Sequence, residues 1–261
     1  MPENADSTKI YLGRGRLYLD RLTSPGARTG GRFVGNCTTF QVTPNVEKVE
    51  MFSSTEKAAP RLASDVIRQT FELEARLHEF SKENLALGLL GDTATLSQSA
   101  GGPIVNETIV VKKDHYFQLG ATEATKRRAV TGVVVTGVAG VPVYVLNTDY
   151  KVDAVRGEIY IISGGAIAEG ASIEVDYSFS AISTGDVVRA GTFGSIDAFV
   201  RFIGDPKRGP AVEVEIWKCS FSPDAALGLI SDEYGGITLK GEVLADPVNH
   251  PAEPNFRVIY L

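Results

Sequence analysis

Two acidic doublets are the residues in this sequence best equipped for chemistry. Glu72 and Glu74 sit in "TFELEARLHEF", and Glu213 and Glu215 in "AVEVEIWKCSF". Paired carboxylates serve general acid–base hydrolysis. Their spacing points elsewhere, because residues at i and i+2 of an extended segment simply share one face of a strand. Nothing else in either stretch suggests a substrate cleft. The three histidines, His78, His115 and His250, have no second His or Cys at ligand spacing. "LGRGRLY" begins like a dinucleotide fingerprint but lacks its third glycine and opens no helix. Phosphate loops, nucleophile elbows and H-E-x-x-H helices are absent from the sequence. Asn36-Cys37-Thr38 and Asn106-Glu107-Thr108 match the glycosylation triplet, which carries meaning only on secretion. The expectation is a non-enzyme with no catalytic residue, no metal and no cofactor.

The elements that carry the doublets are more informative. In residues 68–79, Phe71, Leu73, Ala75 and Leu77 alternate with Thr70, Glu72, Glu74, Arg76 and His78. This predicts a long strand over about 66–79 with one strongly charged face. The period then changes to helical in "SKENLALGLLG", with Ser81 as N-cap, Glu83 in the first turn and Gly91 at C′. A helix of about nine residues is unstable alone and must pack its apolar side on the sheet. The pattern recurs: Val212, Val214 and Ile216 face away from Glu213 and Glu215, and "SPDAALGLISD" follows at once. Ser222 as N-cap, Pro223 at N1 and apolar Ala226, Leu227 and Ile230 predict a second helix. With "RFVGN" and "RFIGD" upstream, strand plus Ser-capped helix reads as an internal duplication.

Elsewhere, residues 10–20 read as strand, glycine turn and strand. Pro44 interrupts 38–51 as an edge or bulge signal, and 52–65 reads as a long polar loop. Residues 93–103 and 181–186 read as linkers. Between them lie "IVNETIVVK", "HYFQLG", "AVTGVVVTG", "VPVYVLN", "GEIYIIS" and "ASIEVDYSF", the spacing of a small β-sandwich. The organisation expected is mainly β: a discontinuous domain of residues 1–100 and 184–261 with short flanking helices, and an inserted β-sandwich at 103–183.

The chain has 261 residues, 43% of them hydrophobic, and a net charge of −6. Its basic clusters, Arg14 with Arg16 and Lys126-Arg127-Arg128, are too short to grip a phosphate backbone. Two cysteines are too few for a disulfide scaffold, and no apolar run reaches membrane-spanning length. The polar N-terminus lacks an apolar signal core, so a protein made in a reducing cytoplasm is expected, with no membrane insertion.

Two strands with charged faces, each backed by a short helix, leave open sheet edges that a ring of copies would close. On the residues 31–91 and 198–247, from "GRFVGNCTTFQV" through "SKENLALGLLG" and from "AFVRFIGD" through "LKGEVLADP", the chain resembles the major tail tube protein of long-tailed bacteriophages. The inserted module, with "YKVDAVRGEIYII" and "GASIEVDYSF", is similar to a decoration domain of such proteins. The resemblance implies a tail-tube-type sandwich or barrel whose copies form hexameric rings stacked into a tube. It implies a virion protein, made in the host bacterial cytoplasm, that meets the tape-measure protein and the tail terminator and initiator proteins. Double-stranded DNA would pass transiently and without sequence preference along a lumen faced by Glu72, Glu74, Arg76, Glu213 and Glu215. Ser54, Glu56, Lys57 and Arg61, in the 52–66 loop, would contact the neighbouring ring. An acidic lumen would repel phosphate and let DNA slide. The rival expectation is a monomeric β-rich carbohydrate-binding or adhesin module; a secretion-system tube protein is a third.

Overall fold

The computed structural model describes residues 6, 8–23, 26–120, 122, 125–222 and 227–260. The fold is mainly β with antiparallel sheets. In chain order the elements begin with β1 (Gly15–Arg21), β2 (Arg32–Phe33), β3 (Cys37–Phe52), β4 (Arg61–Leu77), α1 (Lys82–Gly88), β5 (Asp92–Gln98) and β6 (Gly101–Val110). Next come β7 (Tyr116–Gln118), β8 (Val130–Gly137), β9 (Tyr150–Asp153), β10 (Glu158–Ile161) and β11 (Ser172–Phe179). The chain finishes with β12 (Ile182–Arg189), β13 (Ile196–Gly204), β14 (Val212–Ser222), β15 (Ile237–Leu244) and β16 (Phe256–Tyr260). Two compact units result, residues 1–94 with 188–261, and residues 95–187.

The discontinuous unit is one eight-stranded sheet in the order β2-β1-β13-β14-β15-β4-β3, with β16 beside β14. Alternation dictates its two faces. Leu17, Leu19, Leu73, Ala75, Leu77, Val200, Ile216 and Leu239 are buried in one core, and their neighbours point the other way. The sheet curls around this core. Phe40 of the edge strand β3 stacks on Phe202 of β13, and Phe71 of β4 meets Phe256 of β16 edge-on, each pair 5.1 Å between centroids. Helix α1 adds Leu87, and Leu90 beyond its C-terminus, to the same core. Ser81 caps the helix, its Oγ accepting from the Asn84 N–H at 3.2 Å.

The other end of α1 differs from expectation. The left-handed residue is Leu90, at φ +46°, not Gly91. Leu90 N–H donates to Leu87 O and Gly91 N–H to Ala86 O at 2.7 Å, the paired bonds of a Schellman cap. Gly91 is small for another reason: a Cβ there would lie 2.2 Å from the Arg189 carbonyl oxygen.

Four other expectations change. The 52–65 loop shrinks to a turn over 53–60, because β3 and β4 stay paired from Cys37↔Leu77 out to Phe52↔Arg61. Pro44 pairs within that ladder on a strand with a free edge, with register shifts elsewhere, so it marks the edge and not a bulge. The second Ser-capped helix is not formed by the described residues: Ser222 ends β14, residues 227–232 are irregular and Ile230 is 98% exposed. Its Pro223 and Ala226 lie outside the described residues. Residues 10–20 make one strand, paired with β13 from Gly15 onward, preceded by an isolated bridge, Leu12↔Arg208.

The presumed linkers are strands: β5 and β12 pair with each other as a two-stranded ribbon, and β6 starts at Gly101. The inserted unit holds two three-stranded sheets, β6-β11-β8 and β7-β10-β9. Val135, Ile173, Val175 and Tyr177 of one share a core with Tyr150, Ile159 and Ile161 of the other, so the sheets form a sandwich. "VPVYVLN" contributes no strand. It contains a proline after Val141 and joins its neighbours through the isolated bridges Thr136↔Val143 and Leu146↔Tyr150.

Candidate functional site

The acidic doublets share one surface. β15 lies between β4 and β14, with Glu72 opposite Glu242, Glu74 opposite Lys240 and Arg76 opposite Thr238. Glu242 in turn faces Ser220 of β14. A one-residue register shift between Ala198↔Cys219 and Val200↔Ile216 then resets the alternation of β14. Cys219 and Ile216 are both buried as a result, and Glu213 and Glu215 fall on the same polar face as Glu72 and Glu74. All five residues singled out from the sequence, Arg76 included, therefore line the face opposite the core.

The electrostatics of that face differ from a uniformly acidic wall. Arg201 of β13 donates to Glu213 at 2.5 Å and lies 3.9 Å from Glu215, while Arg257 of β16 donates to Glu215 at 2.7 Å. The hydrogen bond it donates to Glu213 pushes the Arg201 pKa further up, so the guanidinium stays charged. Glu72 accepts from Asn45 Nδ2 at 2.6 Å and Glu74 from Gln41 Nε2 at 3.1 Å. The carboxylates are thus held by cross-strand neighbours in a ladder of complementary groups. An aromatic stack completes the face. His250 lies flat on Trp217 at 3.6 Å, Arg257 sits over the same indole at 5.1 Å, and Trp217 Nε1 donates to Glu253 O at 2.6 Å. Asp20 anchors one margin. Burial alone would raise its pKa, but Arg28 and the Thr29 and Gly30 N–H groups hold the carboxyl below the usual range.

The histidines of the outer and inserted units are engaged by neighbours. His78 is spoken for by Thr38 Oγ1 and Gly235 O, both at 2.9 Å, and His115 by Lys113 O at 2.7 Å. Among the described residues, no group of three or more His, Cys, Asp or Glu could hold a metal ion, and no helix is long and apolar enough to cross a membrane.

The second surface is the hairpin of β3 and β4. From residue 44 to 70 every residue but Ser53 is exposed, on both faces of the ribbon. Val46, Val49, Met51, Phe52, Leu62, Val66 and Ile67 are each 46–63% exposed. The hairpin leaves the body of the unit as an apolar arm whose cover is not in its own chain. Ser54, Glu56 and Lys57 are exposed in the turn at its tip, and Arg61 opens β4 in an ion pair with Glu50.

Residues 10–255 match the model of the family described as "Protein of unknown function UCP028589". The chain belongs to that family. The match runs through the inserted unit as well as both halves of the outer one. No curated protein matches this UCP028589-family chain.

Sequence reasoning missed Arg201, Arg257 and the Trp217–His250 stack, because cross-strand partners are set by register and lie far apart in the chain. It also read residues 52–65 of the arm as loop, between the strands expected over 38–51 and 66–79. A signal for Arg257 was present: "FRVIY" alternates, and its register on β14 puts that arginine opposite Glu215.

Proposed function

We propose that this chain is a self-assembling structural protein of the tail-tube type, whose copies close into hexameric rings and stack into a tube for DNA passage. The observation that carries the reading is the arm: an exposed apolar ribbon on a unit whose core is otherwise complete. Self-association removes both its apolar surface and its unpaired edges from water. The polar face of the same sheet then lines the lumen. Its Glu213 and Glu215 are matched by Arg201 and Arg257, so a passing phosphate finds cations already engaged. That suits fast, non-adhesive transit as well as net repulsion does. The arm tip, with Ser54, Glu56, Lys57 and Arg61, meets the next ring, and tape-measure, terminator and initiator proteins bound the tube. The resemblance of residues 31–91 and 198–247 supports the phage assignment.

Electron microscopy of the purified full chain at rising concentration tests this. Stacked rings or hollow tubes of constant diameter are the expected result. Uniform single particles at every concentration, together with binding in a glycan screen, would replace the reading with that of a monomeric carbohydrate-binding module.

A further inference from the structure

In the inserted unit, backbone carbonyls converge on one side chain. Gln118 ends β7, and its Nε2 lies 2.8 Å from Arg127 O, 2.9 Å from Gly157 O, 3.1 Å from Arg156 O and 3.3 Å from Leu119 O. These oxygens come from three stretches: the end of β7, the approach to β8 and the turn between β9 and β10. The close approach needs a glycine. Gly157 is left-handed, at φ +71°, and a Cβ there would lie 1.9 Å from Arg127 O. Backbone bonds tie the stretches together, Leu119 N–H donating to Gly157 O at 2.9 Å and Arg127 N–H to Leu119 O at 2.8 Å.

The side chain does not match these surroundings. An amide NH2 has two protons to give, and four acceptors crowd it. At its other end Oε1 is buried without a hydrogen-bond partner, the one such side-chain atom among the described residues. Turning the amide over does not mend the fault, since Oε1 would then meet four carbonyl oxygens with no proton between them. Five oxygens converging without a proton are what a cation needs, as where carbonyl rings replace an ion's hydration shell. The spacings of 2.8–3.3 Å then become ligand-to-ligand edges about one ion.

Charge selects the ion. All five oxygens are neutral. Two nearby carboxylates are engaged elsewhere: Glu107 accepts from the Gly120 N–H and the Tyr177 hydroxyl, and Asp153 pairs with Arg156 at 2.6 Å. Glu158, opposite Gln118 in the ladder, leaves one negative charge beside the site. A single positive charge balances it, whereas a divalent ion would be left in excess.

We propose that Gln118 Oε1 and these four carbonyls form a site for an alkali cation, Na⁺ or K⁺, that pins the end of β7 to the β9–β10 turn. The inference concerns the inserted unit by itself and is independent of the proposed function.

Hydrogen exchange of the full chain, mapped by mass spectrometry in KCl, NaCl and choline chloride at equal ionic strength, tests this. Expected is exchange about tenfold slower, or 1.4 kcal/mol, in residues 116–120 and 154–158 with K⁺ or Na⁺ than with choline, and no change in the outer unit. The salt that protects more names the ion. Equal exchange in the three salts overturns the proposal, as does protection that CaCl2 alone confers. Gln118→Leu fills much the same volume without the fifth oxygen and should abolish the difference between salts. A difference that persists in it is a general salt effect and also overturns the site. If that variant does not fold, Gln118→Glu decides. Its carboxylate among four carbonyls should leave these segments protected in the alkali salt and at least tenfold faster to exchange in choline; equal loosening in every salt overturns the proposal.

Discussion

Strand β4 carries both a core residue and an arm residue, and the two should respond to substitution in opposite ways. Leu73 is 1% exposed, behind the face that bears Glu72 and Glu74. Truncation to alanine removes buried carbons and leaves a cavity, at a cost of about 3 kcal/mol. For a unit of this size that lowers the melting temperature by roughly 6–12 °C. Val66, seven positions earlier, is 58% exposed. Val66→Asp forfeits little more than β propensity in the free chain, about 0.5–1 kcal/mol. The expected fall in melting temperature is roughly 1–4 °C. Self-association reverses the ranking: an aspartate in a desolvated contact costs several kcal/mol, about a thousandfold or more in association. Differential scanning calorimetry on dilute protein, paired with sedimentation velocity at high concentration, reads both effects. Leu73→Ala should melt early yet assemble below its midpoint; Val66→Asp should melt almost normally and stay dispersed. If Val66→Asp loses as much thermal stability in dilute solution as Leu73→Ala, the arm is packed within its own chain and the reasoning fails.

Three further outcomes follow from buried polar groups. Asn84 is 1% exposed and donates to Val34 O and Glu79 O at 2.9 and 2.8 Å while accepting from Arg32 at 2.6 Å; Asn84→Ala should cost about 2–4 kcal/mol in urea unfolding, and an effect under half of that would show water replacing the amide. In the inserted unit the Tyr177 hydroxyl donates to Glu107, which also accepts from the Gly120 N–H at 2.8 Å. Tyr177→Phe should therefore destabilise that unit by about 1–2 kcal/mol, read as faster hydrogen exchange of its amides, with the outer unit unmoved. Burial, assisted by Asp197 and Glu242, pushes the Cys219 thiol from its ordinary 9.0 up to about 12. Its stabilising contribution is complete below pH ~9, where both states are protonated, and is lost as pH rises towards ~12 because only the unfolded thiol ionises early. The stability of the natural chain should thus fall by up to about 1.4 kcal/mol per pH unit more steeply than that of Cys219→Ala over this window; parallel pH profiles would refute the assignment.

What could be read from the sequence was whatever burial writes into it. Leu73, Ala75 and Leu77 alternate with Glu72, Glu74 and Arg76 because one side of β4 meets the core, and Ser81 precedes α1 because an N-cap acts locally. The arm was illegible for the same reason: both its faces are wet in the single chain, so residues 44–70 carry no periodicity of burial, and "SSTEKAAP" looks like any loop. Its order comes from pairing, and pairing leaves little mark on composition. The second helix, absent among the described residues, failed oppositely. Ser222-Pro223 and the apolar spacing are sound local signals, but Ser222 is held in the β14 ladder opposite Lys240, and long-range pairing overrides local propensity. The ion pairs of Glu213 and Glu215 needed the register shift near Trp217, which no single-strand pattern reveals.

The ribbon of β5 and β12 has a practical consequence. Because these strands pair, the chain departs for the inserted unit and comes back across one ladder spacing, about 5 Å. Ends that close are what domain grafting requires. The sandwich of residues 95–187 could be cut out and replaced by a short turn, or by a foreign domain with adjacent termini, without asking the outer sheet to change its register. The ribbon is in effect a socket, and the domain it carries would be exchangeable cargo.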